Sequence, residues 1–212
     1  MHSFAVLLSA VLLAAHAAPK TGAELVRQMH SRYAGKWYRT ITFVQTTSFP
    51  DRPSETWYEA GTIPGKLRID VAPMDSMRAI MFVGDSTIVF KGGKRVVARQ
   101  DRNLLMTLGF DVYGQSPDTT IAQLEAGGVD MSKVREGRWN GTKVWVVGAA
   151  EGDTTSNQFW IEQDRLLFVR LIESRKNPKE PQAPANVLDV TLQPDLYDTE
   201  TYRKAEWIKP GH

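Results

Sequence analysis

The sequence predicts a mainly β protein with helices, of the α+β class. The expected architecture is a curved antiparallel sheet, an incomplete barrel of about ten or eleven strands, with one helix on the N-terminal side and a helical insertion between two strand meanders. Three observations carry this expectation. Short β-branched and aromatic runs separated by turn residues fill 37–98 and resume after about residue 133. That pattern is interrupted once, at 103–127, where the apolar spacing becomes helical. Gly92-Gly93 and Asn140-Gly141 are two-residue turn signals that tolerate positive φ and join antiparallel neighbours.

Each element follows in order. Phe4 to Ala15 is an apolar run ending in Ala15-His16-Ala17-Ala18, an A-x-A cleavage pattern followed by Pro19. It is too short for an ordinary membrane span. It reads as a secretory signal over residues 1–18, cleaved after Ala17 or Ala18, although Met1-His2-Ser3 lacks a basic residue. The remainder, 19–212, reads as a single domain. Thr21 to Ala34 is a helix, with Thr21 as N-cap, Glu24 three residues on, and Gly35 as its stop. Strands follow at Trp37–Phe49, Glu55–Ile63, Lys66–Val71, Met77–Val83, Thr87–Lys91 and Arg95–Ala98, with Pro64-Gly65 and Gly84-Asp85 among the turns. Asn103 to Phe110 fits a short apolar helix. Ser116-Pro117 starts another, stopped by Gly127-Gly128. The second meander runs from about Lys133 through strands at Lys143–Val147, Gln158–Ile161 and Leu166–Ile172. A charged, Pro-rich loop at Lys176–Ala185 leads to Val187–Leu192, and Ala205–Ile208 is an expected short edge strand.

Composition removes several function classes. The 212 residues contain no cysteine, carry a net charge of +2, and are 42% hydrophobic and 24% charged. Disulfides, thiolate nucleophiles, Cys-based metal sites and lipid attachment through cysteine are excluded. The balanced charge makes no case for nucleic acid, which needs clustered Lys and Arg on one face. With His2 and His16 in the signal, only His30 and His212 remain, too few for a His-ligated metal or a Ser-His-Asp triad. No cofactor is expected. Gly84-Asp85-Ser86 matches the nucleophile block of one esterase family but sits between two strands and reads as a hairpin turn. Asn140-Gly141-Thr142 fits a glycosylation triplet and, better, a type I′ turn. Of the carboxylates Asp70, Asp75, Asp101, Asp111, Glu136, Asp153, Glu162 and Asp164, none sits in an apolar surround that would raise its pKa. A hydrolase built on a facing pair therefore has little support, and no enzyme is expected.

The stretch 138–172 carries the functional question. Val144 and Val146 alternate with Trp145 and Val147, so both faces of that sheet are apolar and both require a cover, whether protein or an apolar ligand. A one-residue slip in register would exchange the two faces.

The order of elements, with three local blocks, resembles the LolA-like periplasmic lipoprotein carriers. The blocks are Phe43-Val44-Gln45, the run Gly61-Thr62-Ile63-Pro64-Gly65-Lys66-Leu67-Arg68-Ile69-Asp70, and Ile88-Val89-Phe90-Lys91-Gly92-Gly93-Lys94. One position departs: Ile63 stands where the family's carriers place an Arg that helps lock the lid. The resemblance implies a soluble periplasmic carrier that binds acyl chains of lipoproteins or other lipids in an apolar cavity and shuttles them toward the outer membrane. Its implied partners are an inner-membrane donor and an outer-membrane acceptor. On strand alternation, Leu67, Ile69, Met81, Trp145, Val147, Phe159, Ile161, Leu167 and Val169 are the expected cavity wall. Leu104, Leu105, Leu108 and Phe110 are the expected lid. A protein-interaction or sensor module on the same fold, without lipid transport, with its partner along Val187–Leu192, is the alternative.

Overall fold

Turn chemistry sets the first sheet. In the computed structural model, which describes residues 17–49, 52–175, 182 and 185–191, six strands follow one another as an uninterrupted meander. They are β1 (Thr40–Thr47), β2 (Glu55–Thr62), β3 (Lys66–Val71), β4 (Arg78–Val83), β5 (Ser86–Lys91) and β6 (Lys94–Gln100), paired antiparallel in that order. Gly84, Gly92 and Gly93 have positive φ at the two tightest turns. The Gly84-Asp85 turn places Ser86 at the start of a strand. The second sheet is built the same way from β7 (Val134–Trp139), β8 (Thr142–Val147), β9 (Gln158–Glu162), β10 (Phe168–Arg175) and β11 (Asn186–Thr191). Asn140 and Gly141, at φ 47° and 82°, form the expected turn between β7 and β8. The expected curve of strands thus consists of two hydrogen-bonded sheets, with no ladder joining them among the described residues. Residues 1–16 of the expected signal, most of the Pro-rich loop and the Ala205–Ile208 strand lie outside those residues.

Among the described residues three α-helices accompany the sheets: α1 (Gly22–Tyr33), α2 (Leu104–Gly109) and α3 (Pro117–Ala126). Thr21 caps α1 by accepting from the Glu24 N–H at 3.1 Å, while the Glu24 carboxylate accepts from the Lys20 N–H at 2.6 Å. Ser116 caps α3 through the Thr119 N–H, with Pro117 at the first helical position. Gly22 is set by packing. A Cβ there would lie 2.6 Å from a Val147 methyl, and its N–H donates to the Met131 carbonyl at 2.7 Å.

The core is organised by α2. Residues two apart on a helix point to nearly opposite sides, and residues four apart share a side. Leu104 and Leu108 therefore pack into the cluster formed with α1, α3 and the second sheet. Met106 and Phe110 pack into the cluster of the first sheet. All four are buried, and Phe110 stacks on Phe43 at 6.2 Å between ring centroids. Trp37 touches both clusters. A helix used on two sides packs against both sheets, which are therefore expected to unfold together. Leu108→Ala and Phe110→Ala are each expected to lower stability by about 2–5 kcal/mol. Urea unfolding should remain a single transition in both variants, although the two side chains face different sheets.

Candidate functional site

The register of the first sheet generates a row of side chains across it. Directly paired residues share a face, which puts Phe43, Glu59, Ile69, Ile80, Val89 and Val97 in line from β1 to β6. Beside this row run Ile41, Gly61, Leu67, Phe82, Thr87 and Arg99. This is the face that α2 covers, through Met106 and Phe110. The cover stops part-way. Phe43 and Ile69 are buried, Ile80, Phe82 and Val89 are half-buried, and Val97 is 39% exposed. Polar pairs bound the open half: Glu55 accepts from Trp57 and Arg78 at one margin, and Arg99 pairs with Asp101 at the other.

Glu59 stands apart in this row. It is 2% exposed, and its Oε1 is buried with no hydrogen-bond partner. Desolvation by the surrounding side chains pushes its pKa up to about 8. Asp111 is also raised by burial, against the lowering effects of the Gly65 N–H, which donates to it at 2.9 Å, and of Arg102. The expectation that none of the eight named carboxylates occupies an apolar surround is thus corrected at Asp111, and Glu59 lies outside that set. The surround of Glu59 comes from Phe43 and Ile69 on neighbouring strands, not from its own segment.

The nine expected wall residues do not share one wall. Leu67 and Ile69 lie in the first-sheet cluster. Val147, Phe159, Ile161 and Leu167 are buried in the second-sheet cluster under the helices, with Trp145 half-buried against it. Two positions are corrected. Met81 pairs with Arg68, so it sits on the face opposite Leu67 and Ile69. There it borders a shallow groove of about 190 Å3 with Ala60, Lys66 and Arg68, below the ~300 Å3 usual for small-molecule pockets. Val169 clusters with Val144 and Val146 on the far face of the second sheet. The cause is a bulge: Phe168 pairs with Ile161 but Arg170 with Trp160, so one residue of β10 is unmatched. The Tyr113 hydroxyl accepts from the Phe168 N–H at 2.9 Å at the start of that bulge.

The expected lid residues are part of the packed interior. Leu104 and Leu108 lie in the second-sheet cluster, Leu105 packs partly against it, and Phe110 lies in the first-sheet cluster. Ile63, the position at which the expected pattern is broken, is buried in the first-sheet cluster.

The second apolar face of the second sheet is covered by its own side chains. Val144 and Val146 are fully buried beneath Trp139 and Trp160. The Arg170 guanidinium lies 4.2 Å from the Trp139 ring centroid and 4.6 Å from that of Trp160, and is held by Asp189 through bonds of 2.9 and 2.6 Å. Of the two sheets, the first therefore presents the less completely covered helix-facing surface.

Among the described residues, no cluster of three or more His, Asp or Glu side chains could hold a metal ion, and no helix is long and apolar enough to cross a membrane. No family model and no curated protein matches the sequence. Among solved structures, the chain is similar to the LolA superfamily protein NE2245 from Nitrosomonas europaea, at 12% identity and a TM-score of 0.33, over 80% of this chain and 86% of that one.

The buried carboxyl gives a pH test. Folded protein keeps the Glu59 proton up to about pH 8, whereas the unfolded chain releases it near the ordinary value of 4.5. The unfolded state therefore binds fewer protons in that window, and stability falls as pH rises through it. Relative to wild type, Glu59→Gln is expected to gain stability between those limits, on the order of a few kcal/mol by pH 8. Below pH 4.5 the two should converge in urea titrations.

Proposed function

We propose that the protein is a non-enzymatic carrier that holds the acyl chain of a lipoprotein or other lipid against the open half of the first sheet's inner face. The observation that carries this reading is the row Ile80, Val89 and Val97, flanked by Phe82. It is an apolar lane that α2 leaves uncovered and that polar pairs border on both sides. A methylene chain laid on it leaves water at about 0.8 kcal/mol per buried CH2. No bond is made or broken, so release depends on competition by an acceptor. The A-x-A leader pattern and the family-like blocks of the sequence support a periplasmic setting, with delivery from an inner-membrane donor to an outer-membrane acceptor.

A second reading is favoured by β11, where Val187 and Leu188 are exposed at 42% and 44%. That strand could take a protein partner in an interaction module without lipid transport. Recovery of one stoichiometric protein partner, with lipid absent by native mass spectrometry, would favour it.

The carrier reading is tested by displacement of a fluorescent fatty acid. Val89→Asp places a carboxylate in the lane and is expected to weaken binding about tenfold or more. Met81→Asp, on the opposite face, should leave affinity unchanged. Equal effects of the two substitutions, or no uptake by wild type, would count against the lane.

A further inference from the structure

The polar end of the lane points to the kind of headgroup the ligand carries. Glu59 is the only ionisable side chain in the row from Phe43 to Val97. Its cross-strand neighbours on that face are Phe43 and Ile69, and its Oε1 is buried without a donor. A buried acceptor with no donor is unfavourable to folding, and an apolar residue of similar size would avoid the cost. The group is accounted for if a bound molecule supplies the missing donor.

The charges nearby narrow the chemistry. Arg78, on the adjoining row, is engaged by Glu55, and Arg99 by Asp101. Among the described residues no cation acts on Glu59, whose raised pKa comes from burial alone, so nothing there accommodates a carboxylate or phosphate beside it. Burial also holds its proton at neutral pH, so the uncharged acid offers one donating O–H and one accepting oxygen, and a neutral group that carries a donor beside its acceptor satisfies both without charge separation, whereas one that only accepts leaves the second oxygen unmet.

We propose that Glu59 is the headgroup-recognition point of the lane, hydrogen-bonding a single-chain amphiphile that carries an N–H or O–H donor beside its acyl chain. This rests on the reading of the lane as an acyl-chain site. Four inter-strand steps separate Glu59 on β2 from Val97 on β6, about 19 Å at ~4.8 Å per step, a span suited to a long acyl chain. From the exposed edge the chain crosses Val89 and Ile80 in the open half and then passes beneath the α2 cover at the buried Ile69, so that its polar junction lies innermost. Phe110, stacked on Phe43 beside Glu59, closes the inner end and is the side chain that must shift to admit it.

The test compares two uncharged ligands of one chain length, hexadecanamide and methyl hexadecanoate, competed against a fluorescent fatty acid on the full chain at pH 7. The amide has N–H donors and the ester has none. Wild type is expected to prefer the amide by about tenfold, the value of one hydrogen bond to a buried acceptor. In Glu59→Leu the two affinities should become equal, with ester binding retained. Glu59→Gln, which keeps an acceptor oxygen, should retain the preference. Equal binding of both ligands by wild type overturns the headgroup assignment while leaving the acyl-chain reading intact. So does a preference that survives Glu59→Leu. Failure of both ligands to bind wild type overturns the acyl-chain reading and this assignment with it.

Discussion

The two-sided burial of α2 is the constraint on which the rest depends. Its Leu104 and Leu108 side belongs to the second sheet, and Met106, with Phe110 just past the helix end, to the first. A six-residue helix has little intrinsic stability in water, so its persistence derives from these contacts. Because it is short, it covers only the β1–β3 side of the first sheet and leaves the β4–β6 side open. The same element that joins the sheets therefore determines where an apolar surface remains available.

The second sheet shows the opposite outcome. Both of its faces are apolar in sequence, and both are closed in the structure. Helices cover Val147, Phe159 and Ile161 on one face, and a Trp139–Arg170–Trp160 layer covers Val144 and Val146 on the other. An apolar strand face is thus a demand for a cover, and the cover can be a guanidinium between two indoles. The first sheet meets that demand over half its width, and the proposed carrier function occupies the remainder.

Local signals were legible. Asn140-Gly141 and Gly92-Gly93 adopt the positive φ their turns require, and Thr21 and Ser116 cap the helices they precede. Non-local facts were not. The face of Met81 depends on β3–β4 register, fixed across a connection that includes Met77 in a left-handed conformation. Alternation carried through Leu167 and Val169 fails at the β10 bulge, where one unmatched residue reverses the faces. Glu59 is flanked in sequence by Tyr58 and Ala60, and its apolar surround exists only once β1 and β3 are paired beside it. Ile80, Phe82 and Val89, the residues of the proposed lane, are hidden from the sequence for the same reason as the face of Met81. They are the alternate set on strands whose facing could not be assigned without register.

The proposed acyl-chain site is one half of one face of the first sheet. It is tested most directly by photo-crosslinking a diazirine-bearing fatty acid to the protein and mapping the adducts by peptide mass spectrometry. Adducts are expected at Ile80, Phe82, Val89 and Val97, with Met81, Ile88, Val144 and Val146 unlabelled. Labelling concentrated on Met81 and Ile88, on the opposite face, or on the second sheet, would contradict it.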